Sequence, residues 1–482
     1  MTQIGEGVHT TSGSASNCEC TATGHPIDVA TGRVFVVDKD ITFTHPLSIG
    51  LFRTWSSTHA DRPGLFGSGW TSFLDLRLLL DPDEIIYYDD EGRAISLPLI
   101  KVGDSFHLAA EGLTLLRLEK HLELTQRNGR SYRFTPDGLL QRVHSGHYNG
   151  IDLPYQGQQI IGLRDAEAKD YRLVYDALGR LTAIDCHVQS AQQEIRLREY
   201  RYDERNRLTL VYDEFANPLQ YSYDDNDRLI AEINRNGYRF NYEYDAQGRC
   251  IKNWGDQGEY YRELRYLPEQ GKTQVINSLQ QKTTYYWNRQ GLVVMVVDAV
   301  GGVHQYHYDQ NRRLVGEIDA NENTITYEYD QQGRQTAKTD QENNRWETVY
   351  ADDQPDVHID PLGNRTIRLH DEDDTLIQEE DSQGNRRTYH TATGKSTQEN
   401  DPTIRKEYDA WHRLIYAGDA QGHARHFIYD LKGRLIRERD KNGHETSYGY
   451  DPEDNLLRIR DPLGNERRFI ASITLVREAH HS

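Results

Sequence analysis

Polar and apolar residues alternate over most of this chain in runs of about five or six, and each run is closed by acidic residues and glycine. The clearest runs place tyrosines two apart, as in Tyr200/Tyr202, Tyr221/Tyr223, Tyr242/Tyr244, Tyr306/Tyr308, Tyr327/Tyr329 and Tyr448/Tyr450, with Phe427/Tyr429 as a variant. On a strand both rings of such a pair lie on one face, whereas a helix would scatter them around its circumference. Tyrosine also suits a half-buried pleated surface. The pattern therefore predicts strands, and it predicts them repeatedly.

The residues after each tyrosine fix the turn. Asp176 to Gly179, Asp245 to Gly248, Asp330 to Gly333 and Asp430 to Gly433 carry Asp at the first position of a type I turn and Gly at the fourth. The Asp carboxylate can accept backbone N–H groups, and Gly tolerates the left-handed conformation that closes a bulged hairpin. A second strand comes next, such as Leu435-Ile436-Arg437-Glu438-Arg439-Asp440, and ends in another Asp-x-x-Gly turn at Asp440, as at Asp360, Asp419 and Asp461. The unit repeats about every 21 residues, the spacing of a repeat architecture. Its aspartates read as turn residues. Acid–base chemistry is a poor reading of them, because one carboxylate would serve in every repeat.

These residues resemble the YD-repeat (Rhs) family, whose repeats occur in bacterial Rhs proteins, in teneurins and in the shell of Tc-type insecticidal toxins. A second, N-terminal block carries the resemblance further: Gly24-His25-Pro26-Ile27-Asp28-Val29-Ala30-Thr31-Gly32, Leu47, Arg53-Thr54-Trp55-Ser56-Ser57 and Gly67-Ser68-Gly69-Trp70 are similar to the block that opens Rhs shells in polymorphic-toxin systems. The fold expected is all-β, a YD-repeat array of antiparallel hairpins spiralling into a hollow shell or an open partial shell. The domains expected are a flexible leader (1–23), a cap or plug block anchored by Trp55 and Trp70 (24–80), degenerate β-repeats (81–165), the YD array (166–469) and a non-repeat tail that looks truncated (470–482). The resemblance implies a structural role: encapsulation of a toxin for delivery to competing cells, commonly by a type VI secretion machine. The partners implied are a toxin domain or another Rhs chain, and type VI spike proteins. The chain would be cytoplasmic before delivery and secreted without a signal peptide.

Composition changes this picture little. Tyr (31) far outnumbers Phe (11) at 36% apolar residues, which suits a thin β-wall wetted on one or both faces. A net charge of −20 argues against nucleic acid as a partner. No run of about 18 apolar residues predicts a membrane span, and Leu292–Val297 fits one buried strand. Residues 1–16 lack the basic and apolar regions of a cleaved signal peptide. Four cysteines make no disulfide framework: Cys18 and Cys20 read as reduced thiols in the leader, Cys186 and Cys250 as strand residues.

Motifs that carry chemistry are missing. There is no Gly-x-Ser-x-Gly elbow, no P-loop and no His-Glu-x-x-His. The self-cleavage motif of complete Rhs shells has Leu where Asp360-Pro361-Leu362-Gly363-Asn364 and Asp461-Pro462-Leu463-Gly464-Asn465 have Asn, so both read as ordinary turns. Catalytic, cofactor and metal residues are accordingly expected to be none, and the chain is not expected to be an enzyme. The alternative function is a Tyr-rich binding module for carbohydrate or a cell-surface partner, which outward-facing rows of aromatics would favour. An enzyme site in the 81–165 region has no constellation to support it.

Overall fold

A computed structural model describes residues 22–469 apart from 24–25, 44–49, 128, 146–149, 166–168, 189–192, 351–355, 371–375, 391–394, 397–404, 410, 412 and 420. The expectations for Cys18, Cys20 and the tail 470–482 lie outside the described residues, as does most of the leader. Its last two residues, Ala22–Thr23, are not irregular: they pair with Ile27–Asp28.

The repeats fold as their spacing predicts. Arg239–Tyr244 pairs antiparallel with Cys250–Gly255, Val303–Tyr308 with Leu314–Ile318, and Ala424–Tyr429 with Leu435–Asp440. In each case the register shifts just before the final tyrosine. One extra residue there bends and twists the strand pair, which curves the sheet. The turn chemistry is the cause. Gly248 and Gly433 have φ of 83° and 85°, in the left-handed region that a side chain resists.

Strands from Ser105–Leu108 to Lys395–Ser396 hydrogen-bond in succession into one sheet. The sheet is open: Ser105–Leu108 pairs only with Leu113–Arg117, and Lys395–Ser396 only with Arg386–His390. A further seven-stranded sheet runs from Arg405–Tyr408 to Glu466–Arg468. Among the described residues no helix is long and apolar enough to cross a membrane.

The wall winds back onto itself. Arg235 N–H donates to Glu453 at 2.6 Å across 218 residues, and Asn236 Nδ2 to Asp451 at 3.0 Å across 215. Beside them Lys432 meets Asp213 at 2.8 Å, and Lys169 lies 5.4 Å from the Trp411 ring. One revolution thus takes about twenty strands, a circumference of about 100 Å and a width of about 30 Å at normal strand spacing.

The N-terminal block lies against the tyrosine face of the first revolution. Its strands Phe35–Thr42 and Gly50–Ser56 form a small sheet with Trp70–Thr71. The run Phe73–Leu78, which reads as a strand, is instead a 3-10 turn at Phe73–Asp75 followed by a strand at Arg77–Leu80. Ser72 and Asp75 cap that turn reciprocally, and the capping outweighs the alternating pattern. The buried apolar core runs from Ile27 to Val296; past it, among the described residues, only Ala337 is as well covered.

Candidate docking interface: the tyrosine face and its corners

At a YD corner one carboxylate satisfies several donors. Asp245 Oδ1 accepts the N–H groups of Gln247 (3.0 Å) and Arg249 (2.9 Å), and Oδ2 accepts Arg249 Nε at 2.8 Å. Burial opposes ionisation of Asp245, but donation from the Arg249 backbone and guanidinium outweighs it and holds the carboxyl below the usual range. Asp309 and Asp330 show the same balance with Arg313 and Arg334. With both oxygens engaged, these carboxylates are turn anchors.

The arginines do more than the sequence suggests. Arg228 lies 4.8 Å from the Tyr244 ring, Arg313 4.9 Å from Tyr329, and Arg434 5.0 Å from Tyr450. Arg413 and Arg434 also donate to the Asp430 and Asp451 carbonyls of the next corner, at 2.9 and 3.0 Å. Each tyrosine hydroxyl then donates back to the preceding hairpin: Tyr244 to Leu229 O at 2.8 Å, Tyr329 to Leu314 O at 2.8 Å, Tyr450 to Leu435 O at 2.9 Å. Corner is tied to corner along the rim. The signal that could have shown this is the constant offset from each arginine to the next YD tyrosine.

The same face receives the N-terminal block. The Phe66 and Tyr200 rings meet at 5.2 Å, Trp70 and Tyr221 at 4.8 Å, and Phe43 and Tyr171 at 5.2 Å. Trp70 Nε1 donates to the Tyr223 hydroxyl at 2.9 Å. At the centre Arg53, fully buried, donates to Asp40 at 2.6 Å and stacks 4.7 Å from Trp70. Tyr200 donates to Asp40 at 2.8 Å and Tyr221 to Asp38. Burial works against the Arg53 charge, yet Asp40, the Tyr221 hydroxyl and Asp38 outweigh it and keep the guanidinium pKa above its ordinary value.

The N-terminal motifs acquire physical roles here. Asp28 closes its own turn by accepting Ala30 N–H at 2.9 Å and Thr31 Oγ1 at 2.7 Å. Gly32, with φ of 75°, brings its carbonyl to the Cys250 N–H at 2.9 Å. A Cβ on Gly32 would stand 2.5 Å from Arg249 Cβ. Likewise Leu181 N–H donates to Leu65 O at 2.9 Å and Ser68 N–H to Asn206 O at 2.8 Å. The block thus takes up groups that the bulged corners leave free.

Trp55 and Trp70 are fully buried, as core anchors should be. Cys186 and Cys250 are buried free thiols on strands, and burial raises both pKa values to about 12, so they are not activated nucleophiles. Asp360 and Asp461 close ordinary turns, accepting Asn364 and Asn465 N–H at 2.8 and 2.9 Å. Among the described residues no three His, Cys, Asp or Glu side chains are placed to hold a metal ion. Of the paired tyrosines, Tyr200, Tyr221 and Tyr223 meet the block.

This geometry defines a class: a β-shell protein whose curved wall is built from Tyr-Asp hairpins and carries an N-terminal block on its inner face. The chain matches the family described as Teneurin YD-shell over residues 141–368, RHS Repeat over 429–466, and a domain of unknown function, DUF6531, over 24–97. The chain thus carries YD-shell and RHS repeat sequence, as its repeats led one to expect. Over 209 residues it is 27% identical to the double-stranded DNA deaminase toxin A of Burkholderia cenocepacia (strain H111), covering 39% of this chain and 14% of that one. Among solved structures it is similar to TcdB2-TccC3, at 11% identity and a TM-score of 0.40, covering 92% of this chain and 32% of that one. It is also similar to the Photorhabdus luminescens Tc holotoxin pore, at 9% identity and a TM-score of 0.37, covering 78% and 24%. The chain spans a seventh of the length of the curated relative and a third or less of these structures.

Proposed function

We propose that this chain is a structural shell, or one part of a shell, that holds a toxin for delivery to competing cells. The observation that carries the reading is the unequal cover of the tyrosine face. The first tyrosines of the pairs, Tyr200, Tyr221 and Tyr242, are buried, the first two beneath the N-terminal block, whereas their equivalents Tyr306, Tyr327 and Tyr448 are only half-buried. A curved wall with half-covered rings on its inner side has room and surface for a guest. The toxin named in the curated relative and the match to YD-shell sequence support the same reading. Release by a type VI spike, and storage in the cytoplasm before delivery without a cleaved signal peptide, are the delivery route we infer.

The test is to co-express the full chain with the deaminase domain of the curated relative as a model cargo, purify the chain and digest with protease. The toxin should co-elute and be cut several-fold more slowly than when free. A toxin that elutes separately and is cut at its free rate would contradict the proposal.

A further inference from the structure

The wall departs from its repeat at a place where its continuity does not require it. Gly150–Asp152 pairs directly with Gly162–Arg164, through Asp152 and Arg164, so the sheet is continuous without the residues between them. Those residues form a separate hairpin, Tyr155–Gln156 with Gln159–Ile160. A cleft of about 590 Å³ opens where this hairpin meets strands Arg130–Phe134 and Leu140–Ser145, a size that suits a small ligand.

The floor of the cleft is charged. Arg133 faces Arg142 across one strand pair, and Arg142 faces Asp152 across the next. Their sequence neighbours Tyr132, Val143 and Ile151 are buried in the core, so the three charged side chains share the other face. Like charges directly opposite destabilise a sheet. Arg142 is compensated by Asp152 at 2.9 Å, whereas Arg133 has Glu123 at 3.5 Å, and its buried Nε finds no acceptor among the described residues. Such a donor costs stability until an acceptor meets it.

The walls are held in place. Gly138, with φ of 90°, accepts the Leu78 N–H at 2.9 Å, and Thr135 Oγ1 accepts the Leu139 N–H at 2.9 Å. These bonds fix the turn that carries Asp137. Tyr155 donates its hydroxyl to Leu140 O at 2.7 Å, which pins its half-buried ring at the cleft.

We propose that this cleft binds a sugar unit bearing one acidic group, a carboxylate or a phosphate. The acidic group supplies the acceptor that Arg133 Nε lacks. The rest of the lining selects a polyol over an acidic peptide. Asp137 and Asp152 repel further negative charge, while a sugar hydroxyl donates to them and accepts from Gln141. The C–H face of the sugar packs on the Tyr155 ring. The cleft is separate from the tyrosine face that meets the N-terminal block, and the inference does not rest on the toxin reading, so either can fail alone.

The test is titration calorimetry of the full chain with methyl glucuronide, glucose 6-phosphate, methyl glucoside, acetate and inorganic phosphate. Methyl glucuronide or glucose 6-phosphate should bind, and the tighter of the two identifies the acidic group. The neutral glucoside, acetate and inorganic phosphate should each bind at least about tenfold more weakly. Arg133→Gln should lose at least about tenfold in affinity with an unchanged circular dichroism spectrum. Tyr155→Phe keeps the ring and should keep binding, whereas Tyr155→Leu should weaken it several-fold. No binding of either acidic sugar at about 10 mM, or equal binding by Arg133→Gln, overturns the proposal. Equal binding of acetate or inorganic phosphate makes the cleft a bare anion site and overturns the sugar assignment, and equal binding of the glucoside overturns the acidic one.

Discussion

At the residue scale the account rests on a few side chains whose roles are not interchangeable. Gly32→Ala forces a left-handed residue to carry a Cβ against Arg249, so denaturant unfolding should show a loss of about 1–3 kcal/mol. Arg53→Met strands the Asp38 and Asp40 carboxylates without their cation, and breaking such a buried pair costs about 3–5 kcal/mol. Fluorescence of Trp55 and Trp70 should report the block leaving the wall. The corner aspartates set the acid limit. Asp176, Asp203, Asp245, Asp309 and Asp330 titrate below the ordinary value: burial opposes this, and donation from the following arginine outweighs it. Their stabilisation is complete above the ordinary aspartate pKa and is lost as pH falls through the lower folded values. The thermal midpoint should therefore fall steeply below about pH 4, and a midpoint insensitive to acid would contradict the corner account. The aspartates and glycines of these corners were legible in the sequence, because turn chemistry is local. The arginine–tyrosine stacking was not, because it joins successive hairpins.

At the element scale the hairpin is the unit, and its corner is where stability is open to change. Arg312 and Glu322 occupy the position that Gly248 and Gly433 hold elsewhere, with φ of 64° and 65°. Replacing either with glycine should relieve left-handed strain and raise stability by about 1 kcal/mol, read from chemical denaturation. An unchanged midpoint would mean that the corner is not strained. Strand identity was legible from the two-residue alternation of tyrosines, and the period alone indicated a continuous array. The stretch Phe73–Leu78 alternates as a strand does, but alternation is also compatible with a short capped turn, and the Ser72/Asp75 box decides between them. The N-terminal block was recognisable as a unit, but its seat was not, since Tyr200 and Asp40 lie far apart in the chain and only the curvature of the wall brings them together.

At the scale of the whole molecule the bulged corners accumulate into a spiral. Many YD corners pair an aspartate with an arginine, as Asp245 with Arg249, whereas corners on the opposite rim such as Asp319 and Asp340 end in asparagine. Rim polarity of this kind is invisible in composition and appears only once the revolutions are stacked. The claim on which all this depends is that one curved sheet encloses space and overlaps itself. The most direct test is a low-resolution electron-microscopy map of the purified full chain. The account predicts a curved wall about 30 Å across at the backbone, with the N-terminal block against its inner face and unfilled volume beside it. A solid block, or a straight rod without an interior, would contradict it.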